Sequence, residues 1–214
     1  MSDLSNYRRS YEKSELTETQ LPEDPVTLFK KWFIEAEEFG ASGEINAMTV
    51  STLGLDGYPN SRVVLLKQYT YEGFIFFTNY NSDKGKAIAA NPNVCLSFFW
   101  QDMERQVIIK GRAEKTSENT SDGYFESRPT GSRLGAIASE QSSIVSSREY
   151  LDDRLVAVEH EYEGREIPRP EHWGGYLVRP VSVEFWQGRP NRMHDRIRFV
   201  QQEDHSWKII RLAP

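Results

Sequence analysis

The sequence predicts a mainly β protein, a small antiparallel barrel with α-helices packed around it. Three observations carry this. Short segments rich in β-branched and aromatic residues recur along most of the chain, separated by Gly, Asn and Pro punctuation. Helix-like stretches interrupt them without the strand–helix–strand alternation that a parallel sheet needs. Hydrophobic residues make up 38% of the 214 residues and aromatics 12%, enough to build a packed core and well above the level of a disordered chain.

Taken in order, residues 1–20 are polar and without a sustained period, so they read as an arm that is ordered only if it docks on something. Order is expected to begin at Asp24-Pro25, an N-cap followed by Pro at the first helical position. Leu28, Phe29, Trp32, Phe33 and Ala36 then recur at helical spacing until Gly40. Ala47–Leu53, Arg62–Tyr69 and Gly73–Thr78 read as three antiparallel strands, with Asp56-Gly57 turning the first hairpin. Ser82–Ala90 reads as a helix, ended by Asn91-Pro92-Asn93, and Val94–Trp100 and Arg105–Glu114 as two further strands. A helical middle covers Glu118–Glu126, Ser132–Ala138 and Arg148–Tyr162; strand pattern returns at Gly175–Trp186, His194–Gln201 and Trp207–Leu212. No linker divides 21–214, so they are expected to form one domain.

A formal charge of −6 argues against a general nucleic-acid binder, which needs an excess of cations facing phosphate. Any anion site must be a local cluster. The single cysteine, Cys95, lies in the apolar run Val94–Phe99 and is expected to be buried. The N-terminus lacks a secretory pattern, and no apolar stretch approaches the roughly 20 residues that span a bilayer. A reducing cytoplasm and no membrane contact are therefore expected. The four histidines have no ligand spacing, so no metal site is expected, and there is no P-loop or dinucleotide fingerprint.

Cations stand out at strand ends. Arg62 and Lys67 bracket one strand and, five residues apart on a period-two strand, face opposite sides; they are either solvated termini or parts of different contacts. Lys84 and Lys86 sit near a helix start, with Thr78 and Ser82 hydroxyls near by. Tyr124, Arg128 and Ser132 place an aromatic ring, a guanidinium and a hydroxyl at i, i+4 and i+8. These are the parts that hold a phosphorylated ring, although an ordinary helix end stopped by Pro129 has the same pattern. Glu184–Arg196 packs Trp186, Arg189, Arg192, His194 and Arg196 into one strand–loop–strand junction, a density of polar groups usual at functional loops.

With these segments in hand, the sequence resembles the pyridoxine (pyridoxamine) 5′-phosphate oxidase family from Tyr7 to Pro214. The resemblance rests on Arg62–Lys67, Glu104-Arg105-Gln106-Val107, Tyr124–Ser132, Gln141-Ser142-Ser143, Trp173-Gly174-Gly175, Glu184–Gly188, Arg192–Arg196 and Arg211-Leu212-Ala213-Pro214, in that order. It implies an antiparallel Greek-key split β-barrel of the FMN-binding type, a homodimer with FMN at the subunit interface. The implied activity is that of a flavin oxidoreductase of vitamin B6 metabolism. It oxidises pyridoxamine and pyridoxine 5′-phosphate to pyridoxal 5′-phosphate, with O2 as acceptor and H2O2 released.

Carried over by position, the resemblance implies FMN contacts at Arg62, Val63, Val64, Leu65, Leu66, Lys67, Phe77, Thr78, Lys84, Gln106, Gln141, Ser142, Trp186 and Arg196. It implies substrate contacts at Lys67, Tyr124, Arg128, Ser132, Arg192 and His194, with Arg8 and Tyr11 of the arm closing over the site as a lid. Arg192 and His194 would stand at the reacting end, where a hydride leaves the substrate's C4′ for the flavin. Two departures are visible. Asp83 replaces the Arg that commonly precedes the phosphate-binding Lys, so it is expected to point away while Lys84 or Lys86 compensates, and Phe77 replaces a Tyr of some relatives. Two other readings remain open: a different split-barrel flavoprotein reductase, and a protein that binds FMN or pyridoxal phosphate without turnover.

Overall fold

A computed structural model describes residues 2–7, 9–39 and 43–214. Helix α1 spans Pro25–Glu38; Asp24 caps it by accepting the Thr27 backbone N–H at 2.8 Å, and Pro25 sits where its missing N–H has no intrahelical role. The expected stop at Gly40 lies outside the described residues. Strands β1 (Ala47–Leu53), β2 (Pro59–Leu65), β3 (Gln68–Thr70) and β4 (Gly73–Asn79) follow, then α2 (Asp83–Ala90), β5 (Asn93–Trp100) and β6 (Arg105–Lys115). Helices α3 (Glu118–Ser127), α4 (Thr130–Ala138) and α5 (Arg148–Glu161) lead to β7 (Trp173–Gln187), β8 (Asp195–Gln201) and β9 (Trp207–Arg211).

All pairings are antiparallel, in the order β2-β1-β5-β6-β7-β4-β3, with β8 and β9 continuing from β7. The two ends of that path, β2 and β3, are consecutive in sequence and joined only by Leu66 and Lys67. A sheet whose outermost strands share a two-residue link must curl back on itself, and this makes a barrel. The split lies along β7. Its first half, to Val178, pairs with β4, and its second half, from Ser182, pairs with β8 on the same edge. Pro180 falls in the gap between them, where no partner asks for its missing N–H, and the β6 register shifts opposite it at Lys110/Gly111.

Inward positions alternate along each strand: Met48 and Val50, Leu96 and Phe98, Val107 and Ile109, Val183 and Phe185 are all buried. The buried face of α1 plugs the barrel. Phe29 is fully buried and meets Phe74, Phe98 and Tyr69 edge-on at 4.9, 5.1 and 5.3 Å. Each such buried ring contributes roughly 1.5–3 kcal/mol. A smaller cluster of Phe125, Leu134, Ala138, Val158, Ile167 and Trp173 seats α3, α4 and α5 beside the barrel.

Three expectations are corrected. Arg62–Tyr69 is two strands, because Leu66 turns into the core (4% exposed) and ends the ladder after Leu65. Cys95 is half-buried, since burying Leu96 and Phe98 forces its side chain to the outer face of the sheet. The arm docks well before Asp24: Leu16 is 2% exposed, and its backbone N–H donates to Asp195 Oδ2 at 3.0 Å. Among the described residues no helix is long and apolar enough to cross a membrane, and no group of His, Cys, Asp and Glu is placed to hold a metal.

Candidate active site

One cleft of about 970 Å³ opens between the end of β2, the end of β4, the start of α2, and α3–α4. Arg62, Val63, Val64, Leu65, Lys67, Phe77, Thr78, Lys84, Gln141 and Ser142 line it, together with Tyr124, Arg128 and Ser132. Two groups assigned on different grounds thus share one cleft. Arg62 and Lys67 meet here because the strand ends between them, so the period-two rule that separated them does not apply. Leu66 is the exception in its run, with its side chain committed to the core.

Lys84 is 6% exposed. Its ammonium donates to Thr78 Oγ1 at 2.8 Å, Gln141 Oε1 at 2.8 Å and Ser82 Oγ at 3.2 Å, all neutral oxygens. Burial, then the nearby Arg62 charge, push its pKa down to about 8, with Asp83 partly offsetting. Arg62 donates through Nη1 to Thr52 Oγ1 at 2.8 Å and to the Asn60 carbonyl at 3.0 Å, and burial lowers its pKa too. Asp83 does not point away as expected. It is exposed and borders the cleft, because the first turn of α2 projects it there beside Lys84.

Across the cleft an aromatic wall forms. Phe77 stacks on Tyr124 with centroids 4.0 Å apart and lies nearly parallel to Trp173 at 5.7 Å. The Arg128 guanidinium sits 4.6 Å from the Trp173 ring centre, and burial depresses its pKa. Its Nη1 is buried without a hydrogen-bond acceptor. Lys67 Nζ lies 5.8 Å from the Tyr124 ring. Trp173 had no role in the sequence reading; its pairing with Gly174-Gly175 was visible, but its place beneath Arg128 is a product of folding.

The remaining expected residues lie elsewhere on the protomer. Gln106 is opposite Trp186, and Trp186 opposite Arg196, in one row across β6, β7 and β8. None of the three lines the cleft: Trp186 is on β7, the strand that pairs with β4, but in its second half, beyond Val178 where the pairing with β4 ends. Arg196 is paired with Glu184 at 2.8 Å, a carboxylate held below its ordinary pKa by Arg198 and Arg196 against the opposing effect of burial. His194 packs on Trp186 at 4.7 Å and accepts the Arg189 backbone N–H on Nδ1 at 3.0 Å. That nitrogen is therefore unprotonated, and burial together with Arg192 lowers the imidazole pKa, leaving Nε2–H as a donor. Arg192 is exposed, in a left-handed backbone at φ 61°. Tyr11 rests on Trp186 and His194, and Arg8 lies outside the described residues. Between the cleft and this row the outer sheet face leaves Val63 69% and Phe99 55% exposed.

Residues 35–162 match the family model described as pyridoxamine 5′-phosphate oxidase, and residues 173–214 match the pyridoxine 5′-phosphate oxidase C-terminal dimerisation region. The chain belongs to the pyridoxamine 5′-phosphate oxidase family. Among members of that family, the pyridoxine/pyridoxamine 5′-phosphate oxidase of Flavobacterium johnsoniae is 70% identical over 213 residues, covering 100% of both chains. That of Flavobacterium psychrophilum is 66% identical over 214 residues, again covering 100% of both. Among solved structures, PhzG from Burkholderia lata, in complex with tetrahydrophenazine-1-carboxylic acid, superposes with a TM-score of 0.88 at 27% identity, covering 96% of this chain and 100% of that one. A family-related FMN-binding protein of Nostoc punctiforme shares the fold, with a TM-score of 0.73 at 13% identity, covering 91% of this chain and 100% of that one. The split barrel expected from the sequence is the fold observed.

Proposed function

We propose that the protein is an FMN-dependent oxidase that converts pyridoxamine and pyridoxine 5′-phosphate to pyridoxal 5′-phosphate, with O2 as acceptor and H2O2 released. It acts as a cytoplasmic homodimer, with residues 21–214 as one FMN-binding domain and residues 1–20 as a lid. The observation that carries this reading is a pair of cations in one cleft, the buried Lys84 and the half-buried Arg128, which make no ion pair among the described residues even though Asp83 stands near Lys84. Lys84 meets only neutral oxygens, and Arg128 Nη1 meets none. An unpaired buried charge is costly, so two such groups fit two bound phosphates, one on the coenzyme and one on the substrate.

The residues present fit FMN. Lys84 and Arg62, with Thr78, Gln141 and Ser142, would hold its phosphate end; Val63, Val64, Leu65, Lys67 and Phe77 would border the rest, and Leu66 would offer backbone alone. Bound there, FMN supplies the two-electron acceptor that no side chain can. The Gln106, Trp186 and Arg196 row lies outside its own protomer's cleft. A second copy would bring it there, by pairing the outer sheet faces that expose Val63 and Phe99 and that include the dimerisation region.

Lys67, Tyr124, Arg128 and Ser132 would anchor the substrate phosphate, converting binding energy into alignment of the reacting carbon. Arg192 and His194 of the second copy would face the reacting end. There a fixed positive charge and the Nε2–H donor of a neutral imidazole would orient the ring substituents, with Tyr11 closing over them. The test is an absorption spectrum of the purified protein followed by anaerobic addition of pyridoxamine 5′-phosphate. A flavin band that bleaches, then returns with peroxide when air is admitted, is expected. Protein that stays colourless after FMN is added, or a band the substrate leaves unchanged, would overturn the reading.

A further inference from the structure

Glu104 has no place in the chemistry described so far, yet it is 2% exposed and holds the left-handed backbone at φ 55°. Glycine or asparagine adopts that conformation more readily, so retaining a glutamate there carries a conformational cost. Its carboxylate reaches back across more than ninety positions. Oε2 accepts the backbone N–H of Glu12 at 2.9 Å and that of Lys13 at 3.1 Å. Its own carbonyl accepts the Gly188 N–H at 2.7 Å and Gln187 Nε2 at 3.3 Å, at the end of β7. One residue therefore ties the arm, through its side chain, to the strand that carries Trp186, through its backbone. Tyr11 is the next residue along the arm, and its ring meets Trp186 at 5.6 Å and His194 at 5.8 Å. Gly188 leaves room for it, since a Cβ there would come within 2.8 Å of Tyr11 Cβ.

We propose that Glu104 is a positioning residue for the reaction: its carboxylate fixes the base of the N-terminal arm so that Tyr11 is held against Trp186 and His194 at the substrate end. A buried carboxylate oxygen that accepts two successive amide N–H groups fixes the direction of the backbone that donates them. Downstream, the Leu16 N–H donates to Asp195 and Arg211 donates to the Leu16 carbonyl, so the arm is anchored again just beyond the clamp. The proposal rests on the reading of His194 and Arg192 as the substrate half of the site.

The test uses the flavin-loaded dimer. In the wild type, amide exchange at Glu12 and Lys13 should be slowed at least about tenfold relative to the intrinsic rate of an unstructured chain; unprotected amides there overturn the proposal without any variant. Glu104→Gln keeps the volume and backbone but leaves a single neutral acceptor. It should speed exchange at those two amides, raise KM for pyridoxamine 5′-phosphate about tenfold, and leave FMN affinity within twofold. Tyr11→Ala should raise KM similarly, and the double variant should be no worse than Tyr11→Ala alone, because the two act in series. An active Glu104→Gln enzyme with unchanged KM and unchanged exchange overturns the clamp, as does strict additivity with Tyr11→Ala. A wild type that binds FMN but does not oxidise the substrate instead sinks the functional reading, while the amide protection still reports on the clamp.

Discussion

Lys84 is the residue whose protonation state governs most. Its pKa lies below the ordinary 10.5, at about 8, so between those values the unfolded chain holds more proton than the folded one. Its contribution to the stability of flavin-free protein therefore rises with pH through that window, and the cost of burying the charge is present in full below it. Phosphate binding runs the other way, because the anion needs the ammonium. The Kd for FMN should be insensitive to this group near pH 7 and climb by up to about tenfold per pH unit above pH 8. Lys84→Met should weaken binding and abolish that climb; fluorescence titration of FMN across pH 7–10 reads both. The two arginines should separate kinetically. Arg128→Ala removes a phosphate contact remote from the reacting carbon, so KM should rise on the order of 10- to 100-fold with kcat little changed. Arg192→Ala should lower kcat on the order of 100-fold at unchanged flavin occupancy, in steady-state assays matched for bound flavin. Arg128 was legible from its spacing to Tyr124 and Ser132. Asp83 was misjudged, because a single sequence carries no sign of which way the first turn of α2 faces.

At the scale of the element, the start of α2 is set by how closely it approaches its neighbour. Gly85 lies one position beyond Lys84, and a Cβ there would be 2.1 Å from the Tyr80 carbonyl oxygen. Gly→Ala inside an exposed helix ordinarily stabilises by about 1 kcal/mol. Here the sign should invert: Gly85→Ala should lower the thermal midpoint and also weaken FMN binding, since relieving the clash moves the helix that carries Lys84. Calorimetry with a flavin titration checks it, and a raised midpoint would contradict the close approach. The helices and most strands were legible, since caps, periods and turn residues are local signals. The break in Arg62–Tyr69 was not, because it arises from Leu66 finding the core and Lys67 bonding Ile75 through its backbone N–H, contacts made only once the barrel curls.

For the whole molecule, the division of the expected cofactor residues between a cleft and a separate row across β6, β7 and β8 is the main consequence of the topology. On the proposed function, completing one site takes two copies. Phe99→Glu places a charge on the exposed sheet face, outside the cleft, and should shift the protein to monomer while lowering FMN affinity at least about tenfold, as burying an unpaired charge in an interface is costly. Sedimentation at several concentrations, with and without FMN, tests this; a dimer with unimpaired flavin binding would place the interface elsewhere. The sequence alone determined the class of fold, the position of nearly every helix and strand, and the identity of the cationic and aromatic side chains that could grip phosphate, because each is written in neighbouring residues. Only the tertiary structure decided that Arg62 and Lys67 share a cleft, that Trp186 and Arg196 stand apart from that cleft, that Trp173 underlies Arg128, and that Glu104 bonds the arm. These depend on which distant strands pair and how far the sheet curls, and that is settled by the packing of the whole chain at once.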